Sequence, residues 1–128
     1  MRLLLDTHIF LWAISDYDRL GARVRAAIED SANSVFVSPA STWEIAIKWR
    51  AGKLELPLPP DDMLPAGIAR SNFAALPIHF EHTFAAANLP AHHSDPFDRM
   101  LIAQAIIENA TLVTVDKKIK RYKVSVLS

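Results

Sequence analysis

Four acidic side chains, Asp6, Glu44, Asp98 and Asp116, stand at the ends of apolar runs or inside apolar helical stretches. Asp6 closes the run Arg2 to Leu5, and Asp116 closes Thr111 to Val115 in the same manner. In open parallel sheets, ligand sites lie beyond the carboxyl ends of the strands, where strand order reverses. If these two strands are neighbours, their carboxylates share one sheet edge. Glu44 interrupts the apolar stretch Trp43, Ile45, Ala46, Ile47, and Asp98 lies in the first turn of a helix opened by Pro96. Both helices can aim inward at that edge.

Carboxylates gathered within about 4–6 Å of one another repel and raise each other's pKa unless a cation neutralises them. The sequence has no cysteine, so any metal must be held by oxygen or imidazole. Oxygen donors favour a hard ion, Mg²⁺ or Mn²⁺, over zinc. Such an ion suits phosphodiester hydrolysis, because it acidifies water and neutralises charge on the transferred phosphoryl group.

Each acid also has a plainer reading. Asp95-Pro96-Phe97-Asp98 fits a helix start with Asp95 as N-cap, Pro96 in the first position and Asp98 near the positive end. Asp116 before two lysines fits a turn, and Glu44 fits a solvated helix position. The constellation, rather than any single acid, carries the metal-site reading. Around it, Lys117, Lys118, Lys120, Arg121 and Lys123 form a dense basic stretch suited to phosphates flanking a scissile bond, or to an ordinary solvated face. Arg99 suits a phosphate or a pairing with the acidic cluster, the structural pairing being preferred. His92 and His93 have no zinc-type spacing to another ligand and read as loop residues. Trp12, Trp43 and Trp49 read as core, with Trp43 and Trp49 alternatively bordering a partner-binding groove.

The elements that position these groups follow from hydrophobic pattern. Strands are expected at Arg2 to Leu5, Val35 to Val37, Ala75 to Ile78, Leu112 to Val115 and Val124 to Leu127. Helical spacing links Leu20, Val24 and Ile28, then Pro39 to Ala51, Met63 to Ile68, Thr83 to Asn88 and Pro96 to Asn109. Gly52 to Asp62, rich in proline, reads as an ordered loop. Strands alternating with helices argue for a parallel sheet covered on both faces.

With 128 residues, 51% hydrophobic and 22% charged, the chain is expected to form a single domain with its own core. No apolar run approaches the roughly 20 residues of a membrane span, and no secretory pattern opens the chain, so a cytoplasmic protein with no membrane partner is expected. Fourteen basic residues balance fourteen acidic ones, so any nucleic-acid contact must come from local clustering.

Asp6-Thr7-His8 after a leading strand, Trp43 through Lys48, His93 through Ala105 with its Asp-Pro-Phe-Asp-Arg core, and Leu112 through Asp116 together resemble the PIN-domain ribonucleases. Within that family the chain is similar to VapC-type toxins of bacterial toxin-antitoxin pairs. The resemblance covers nearly the whole chain. It implies an α/β/α sandwich around a mostly parallel five-stranded sheet in the order 3-2-1-4-5. It also implies an acidic centre on Asp6, Glu44, Asp98 and Asp116 holding Mg²⁺ or Mn²⁺, with Thr114 as a polar contributor. The implied activity is endoribonuclease cleavage leaving a 5′-phosphate and a 3′-hydroxyl, and the implied partners are RNA, a cognate antitoxin and a second toxin copy. Val115 departs from the pattern, since relatives often carry a polar residue or arginine there.

Three other classes compete with this reading. A receiver-like signalling domain wants paired acids after the first strand, and Asp6 is single. A haloacid-dehalogenase-like phosphatase wants an Asp two residues after the first, and position 8 is His. A non-catalytic metal- or partner-binding module predicts that Asp98→Asn changes stability or binding with no RNA cleavage to lose.

Overall fold

A computed structural model describes all residues, 1–128. Five strands, β1 (Arg2–Leu5), β2 (Ser34–Val37), β3 (Ala74–Ala75), β4 (Thr111–Val113) and β5 (Val126–Leu127), pair in the order β3-β2-β1-β4-β5. Every pairing is parallel. Six helices complete the architecture: α1 (Thr7–Ser15), α2 (Ala22–Glu29), α3 (Pro39–Arg50), α4 (Pro60–Arg70), α5 (Phe80–Asn88) and α6 (Pro96–Ile107).

The pleat of β1 explains the layers. Leu3 and Leu5 face one core with Phe10, Val24, Val35, Ile45 and Leu64, while Leu4 faces a second with Leu101, Ile102, Leu112 and Ile119. All three leucines are fully buried, which stabilises the strand by roughly 1.5–3 kcal/mol per side chain. A one-residue slip would exchange the two faces. The strand is therefore locked in register, and Asp6 is locked at its carboxyl end. Order reverses beside β1, which pairs with β2 on one side and β4 on the other. That is the switch point expected to hold a ligand.

α4 begins inside the segment expected as loop and α5 one turn earlier than expected, and the elements depart from expectation in four further places. Thr7–Ser15 is helical although no helix was expected there. Its residues Ile9 to Ile14 are apolar almost all round and lie buried or half-buried, so the polar face that would reveal a helix is missing. The third strand is two residues long, Ala74–Ala75, instead of Ala75 to Ile78. The Leu76 N–H still bonds the Val37 carbonyl (2.9 Å), but Pro77 has no N–H to continue the ladder. The fourth and fifth strands are also shorter than expected. Finally, α6 stops at Ile107, where Asn109 adopts φ 53° and the Ala110 N–H closes on the Ala105 carbonyl at 2.9 Å. Gly52 (φ 74°) ends α3 by the same left-handed turn, with the Lys53 N–H on the Lys48 carbonyl.

No helix is long and apolar enough to cross a membrane.

Candidate active site

Asp6 is held from both sides. Its main-chain N–H extends the β1–β4 pairing by donating to the Val113 carbonyl (3.0 Å). Its Oδ1 caps α1 by accepting from the Ile9 N–H (2.8 Å), a bond that fixes the carboxylate's direction. Burial pushes the Asp6 carboxyl above the usual carboxylate range, against hydrogen bonds from Thr114 and Ile9, and Asp116 adds repulsion. Thr7 then ties α1 to α3, its buried hydroxyl donating to Ser41 Oγ at 3.0 Å.

Glu44 enters from α3. Only 4% of it is exposed, so the solvated-surface reading does not hold. One oxygen, Oε2, pairs with Lys48 Nζ at 2.5 Å, and the other, Oε1, is buried with no hydrogen-bond partner. The Lys48 ammonium is held charged above its ordinary range, first by that bond and then by attraction to Asp95 and Asp98.

Asp98 enters from α6. Asp95 takes the capping role, its Oδ1 accepting from the N–H groups of Phe97 (2.8 Å) and Asp98 (3.3 Å). Capping by Asp95 leaves the Asp98 side chain free for the cleft. Burial, then repulsion from Asp95, pushes its carboxyl up to about 7, with His93 opposing and Glu44 and Asp6 adding to the rise. Asp116 completes the group beyond β4. The fully buried Thr114 accepts the Asp116 N–H on its hydroxyl (3.0 Å), and Asp116 Oδ1 accepts from the Lys118 N–H (2.9 Å).

Asp6, Glu44, Asp95, Asp98 and Asp116 line one cleft of about 280 Å³ together with Lys48 and His8. A larger hollow of about 340 Å³ between α3 and α4 contains Asp61 but none of these acids. Concentrated charge, rather than size, marks the candidate site. Five carboxylates beside one lysine, an orphaned buried carboxylate oxygen and an acid held protonated to about pH 7 fit an oxygen-coordinated divalent cation. Glu81, His82 and Glu108 also approach one another closely. There, however, His82 Nδ1 accepts from the His79 N–H (2.8 Å), so the neutral ring carries its proton on Nε2, toward Glu108 (3.0 Å), and offers no lone pair to an ion.

Several expectations need correction. Arg99 pairs with no acid. Its guanidinium donates instead to the carbonyls of Ala86, Leu89 and Pro90 (2.9 Å each) and His93 (3.2 Å), satisfying the C-terminal end of α5 and the loop after it. His93 is more than a loop residue: its Nε2 lies 2.9 Å from Asp98 Oδ2 and 3.0 Å from Asp116 Oδ2. His92 is exposed and meets only the Tyr122 ring, edge-on at 5.1 Å. Trp43 is 64% exposed, not core. It stands edge-on to Phe97 at 5.4 Å between two apolar hollows. Lys117, Lys118, Lys120, Arg121 and Lys123 are all exposed on the β4–β5 connection, immediately beyond Asp116.

Lys48 and the Thr7–Ser41 bond were not singled out from sequence. A Glu and Lys four residues apart on a helix is a readable signal, whereas the Thr7–Ser41 contact spans 34 positions and leaves none.

A five-stranded parallel sheet in this order, with acids gathered at its carboxyl edge, defines an α/β fold of the PIN type. The chain belongs to the PIN domain family, whose model matches residues 3–124. A relative, Ribonuclease VapC16 of Mycobacterium tuberculosis (strain ATCC 25618 / H37Rv), is 41% identical over 59 residues, 46% of this chain and 42% of that one. The chain thus spans less than half the length of that relative. Its fold is similar to that in the crystal structure of VapBC2 from Rickettsia felis bound to a DNA fragment from their promoter (TM-score 0.73, 21% identity, covering 99% and 98% of the two chains). It is also similar to that in DNA-bound VapBC from Salmonella typhimurium (0.72, 16%, 99% and 97%) and in FitAcB from Neisseria gonorrhoeae (0.65, 19%, 98% and 96%).

Proposed function

We propose that this chain is a Mg²⁺- or Mn²⁺-dependent endoribonuclease and the toxin of a toxin-antitoxin pair, with residues 1–128 acting as one PIN-like nuclease domain. The observation that carries the reading is the carboxylate cleft at the β1–β4 edge, in which the buried Glu44 Oε1 lacks any partner. A relative named as a ribonuclease supports the activity, and neighbours that are VapBC assemblies support the pairing.

In this reading Asp6, Glu44, Asp98 and Asp116 hold the ion. A bound divalent ion acidifies water and neutralises charge developing on a phosphodiester. The chain's own residues do the rest. Lys48 pairs with one oxygen of Glu44, Asp95 caps α6 so that Asp98 remains free, and Thr114 supports Asp6 and Asp116. Lys117, Lys118, Lys120 and Arg121 contact phosphates on either side of the scissile bond, positioning RNA without reading its sequence. In-line attack by water leaves a 5′-phosphate and a 3′-hydroxyl.

The partners follow from the same reading. The apolar surface around Trp43 takes the antitoxin. A second copy of the toxin is expected as well. The cytoplasm, where RNA is accessible, is the expected location.

The deciding experiment is cleavage of end-labelled total bacterial RNA with Mg²⁺, with Mn²⁺ and with chelator, beside Asp6→Ala protein prepared identically. Discrete metal-dependent products that are missing from the Asp6→Ala lane establish the nuclease. Identical lanes under every metal, together with no Mn²⁺ binding by calorimetry, would remove it.

A further inference from the structure

We propose that His93 is a positioning residue of the carboxylate centre: its Nε2–H holds Asp116, Asp98 packs against the same ring nitrogen, and the ring stays outside the metal shell. The inference rests on the metal-centre reading above.

The geometry of the ring carries it. The Asp95 N–H approaches His93 Nδ1 at 3.3 Å and makes that nitrogen the acceptor. A neutral imidazole then carries its proton on Nε2. That nitrogen lies 2.9 Å from Asp98 Oδ2 and 3.0 Å from Asp116 Oδ2. The N–H is hydrogen-bonded to Asp116, and the Asp98 carboxylate packs against the same ring nitrogen, so the imidazole stands between the two acids.

The ring's place is itself fixed. The His93 N–H donates to the Tyr122 hydroxyl (2.8 Å), which donates to the Pro90 carbonyl (2.7 Å), and the His93 carbonyl accepts from Arg99 (3.2 Å). The side chain is 9% exposed. Asp116 accepts from the Lys118 N–H on Oδ1 and faces His93 with Oδ2, so both of its oxygens are oriented. Asp98 meets the ring through Oδ2, leaving Oδ1 for a ligand. The buried, unpartnered Glu44 Oε1 in the same cleft is an independent sign that this end of the sheet is built to take a cation.

A donor to the outer oxygens of metal-binding carboxylates orients them and raises affinity, and losing such a partner typically weakens metal binding about 10- to 100-fold. A nitrogen ligand would need the opposite tautomer, which would set two N–H groups, on Nδ1 and Asp95, against each other.

The test uses the full chain as wild type, His93→Ala, His93→Gln and Asp6→Ala. In metal-free wild type, ¹⁵N chemical shifts of the imidazole should show Nε2 protonated and Nδ1 bare. Calorimetry should show His93→Ala binding Mn²⁺ about 10-fold more weakly or worse, with His93→Gln, whose amide can donate, recovering part of the loss. Pulsed EPR of wild type with Mn²⁺ should show no directly coordinated nitrogen.

A coordinated imidazole nitrogen, a proton on Nδ1, or an affinity unchanged or raised in His93→Ala would each overturn the proposal. If His93→Ala misfolds by circular dichroism, the tautomer and EPR readouts on wild type still decide. Mn²⁺ binding lost in Asp6→Ala but intact in His93→Ala would sink this inference alone. No Mn²⁺ binding by wild type would sink the metal-centre reading along with it.

Discussion

Lys48 lies one helical turn beyond Glu44 on α3, and its ammonium sits 2.5 Å from Glu44 Oε2 while Oε1 stays buried without a partner. The pair is half satisfied. That asymmetry anchors one oxygen of a buried acid and leaves the other to offer to something the chain does not supply.

Lys48→Met should leave the buried Glu44 carboxyl without its only partner. The lysine side chain is 44% exposed, so the cost is discounted from that of a fully buried pair to about 1–2 kcal/mol. Urea unfolding measures it. Glu44→Gln removes the charge and keeps the shape, so stability should hold while Mn²⁺ affinity falls at least about tenfold. A Gln variant that binds Mn²⁺ like wild type would take Glu44 out of the centre.

The Asp98 carboxyl, raised to about 7 chiefly by burial and Asp95, gives a pH dependence with a definite sign. Its folded pKa lies above the unfolded value, so the proton favours folding. The contribution is complete below about pH 4 and is lost as pH rises through 7. Metal-free protein should therefore melt lower at pH 8 than this group alone would allow at pH 5, and Mg²⁺ or Mn²⁺ should raise the melting temperature more at pH 8. Asp98→Asn should flatten both trends and abolish cleavage. An equal metal-induced shift at the two pH values would contradict this account.

Removing charges from the β4–β5 connection should affect RNA binding without touching the centre. Replacing Lys117, Lys118, Lys120 and Arg121 by serine should raise KM and leave Mn²⁺ affinity unchanged. The salt slope of RNA binding should become shallower by about 0.7 for each phosphate that is no longer neutralised. If KM and the salt slope both stayed at their wild-type values, these residues would not touch the substrate.

Arg99→Lys tests the carbonyl clamp. A lysine cannot fork to Ala86, Leu89, Pro90 and His93 at once. Stability should fall by about 2–3 kcal/mol, and hydrogen exchange should quicken in the loop that carries His93. Protection unchanged across residues 89–95 would separate the clamp from the site.

Gly67 provides a control far from the chemistry. A Cβ there would meet Ile14 Cδ1 at 2.9 Å and Cβ at 3.0 Å. Gly67→Ala should cost about 1–3 kcal/mol, partly rescued by Ile14→Val, with cleavage per folded molecule unaltered.

Much of this protein could be read along the chain. Strands β1 and β2, the Asp95-Pro96 helix start and the four cleft acids are local events, specified by apolar runs ending in a polar residue and by capping chemistry. α1 was hidden because a helix buried on most sides has no polar stripe, and β3 was overextended because Pro77 stops a ladder whose partner strand is distant in sequence.

Charge placement and most of the strands and helices are legible locally, because propensity, capping and hydrophobic period act over a few neighbouring positions. How the charged groups pair is settled by packing between segments far apart in the chain. Arg99 turns to carbonyls instead of acids, His93 bridges Asp98 and Asp116 from 5 and 23 positions away, and Thr7 meets Ser41 across 34. Those partners are chosen by the packing of α3 and α6 against the sheet edge, where burial leaves no polar atom indifferent to its neighbours.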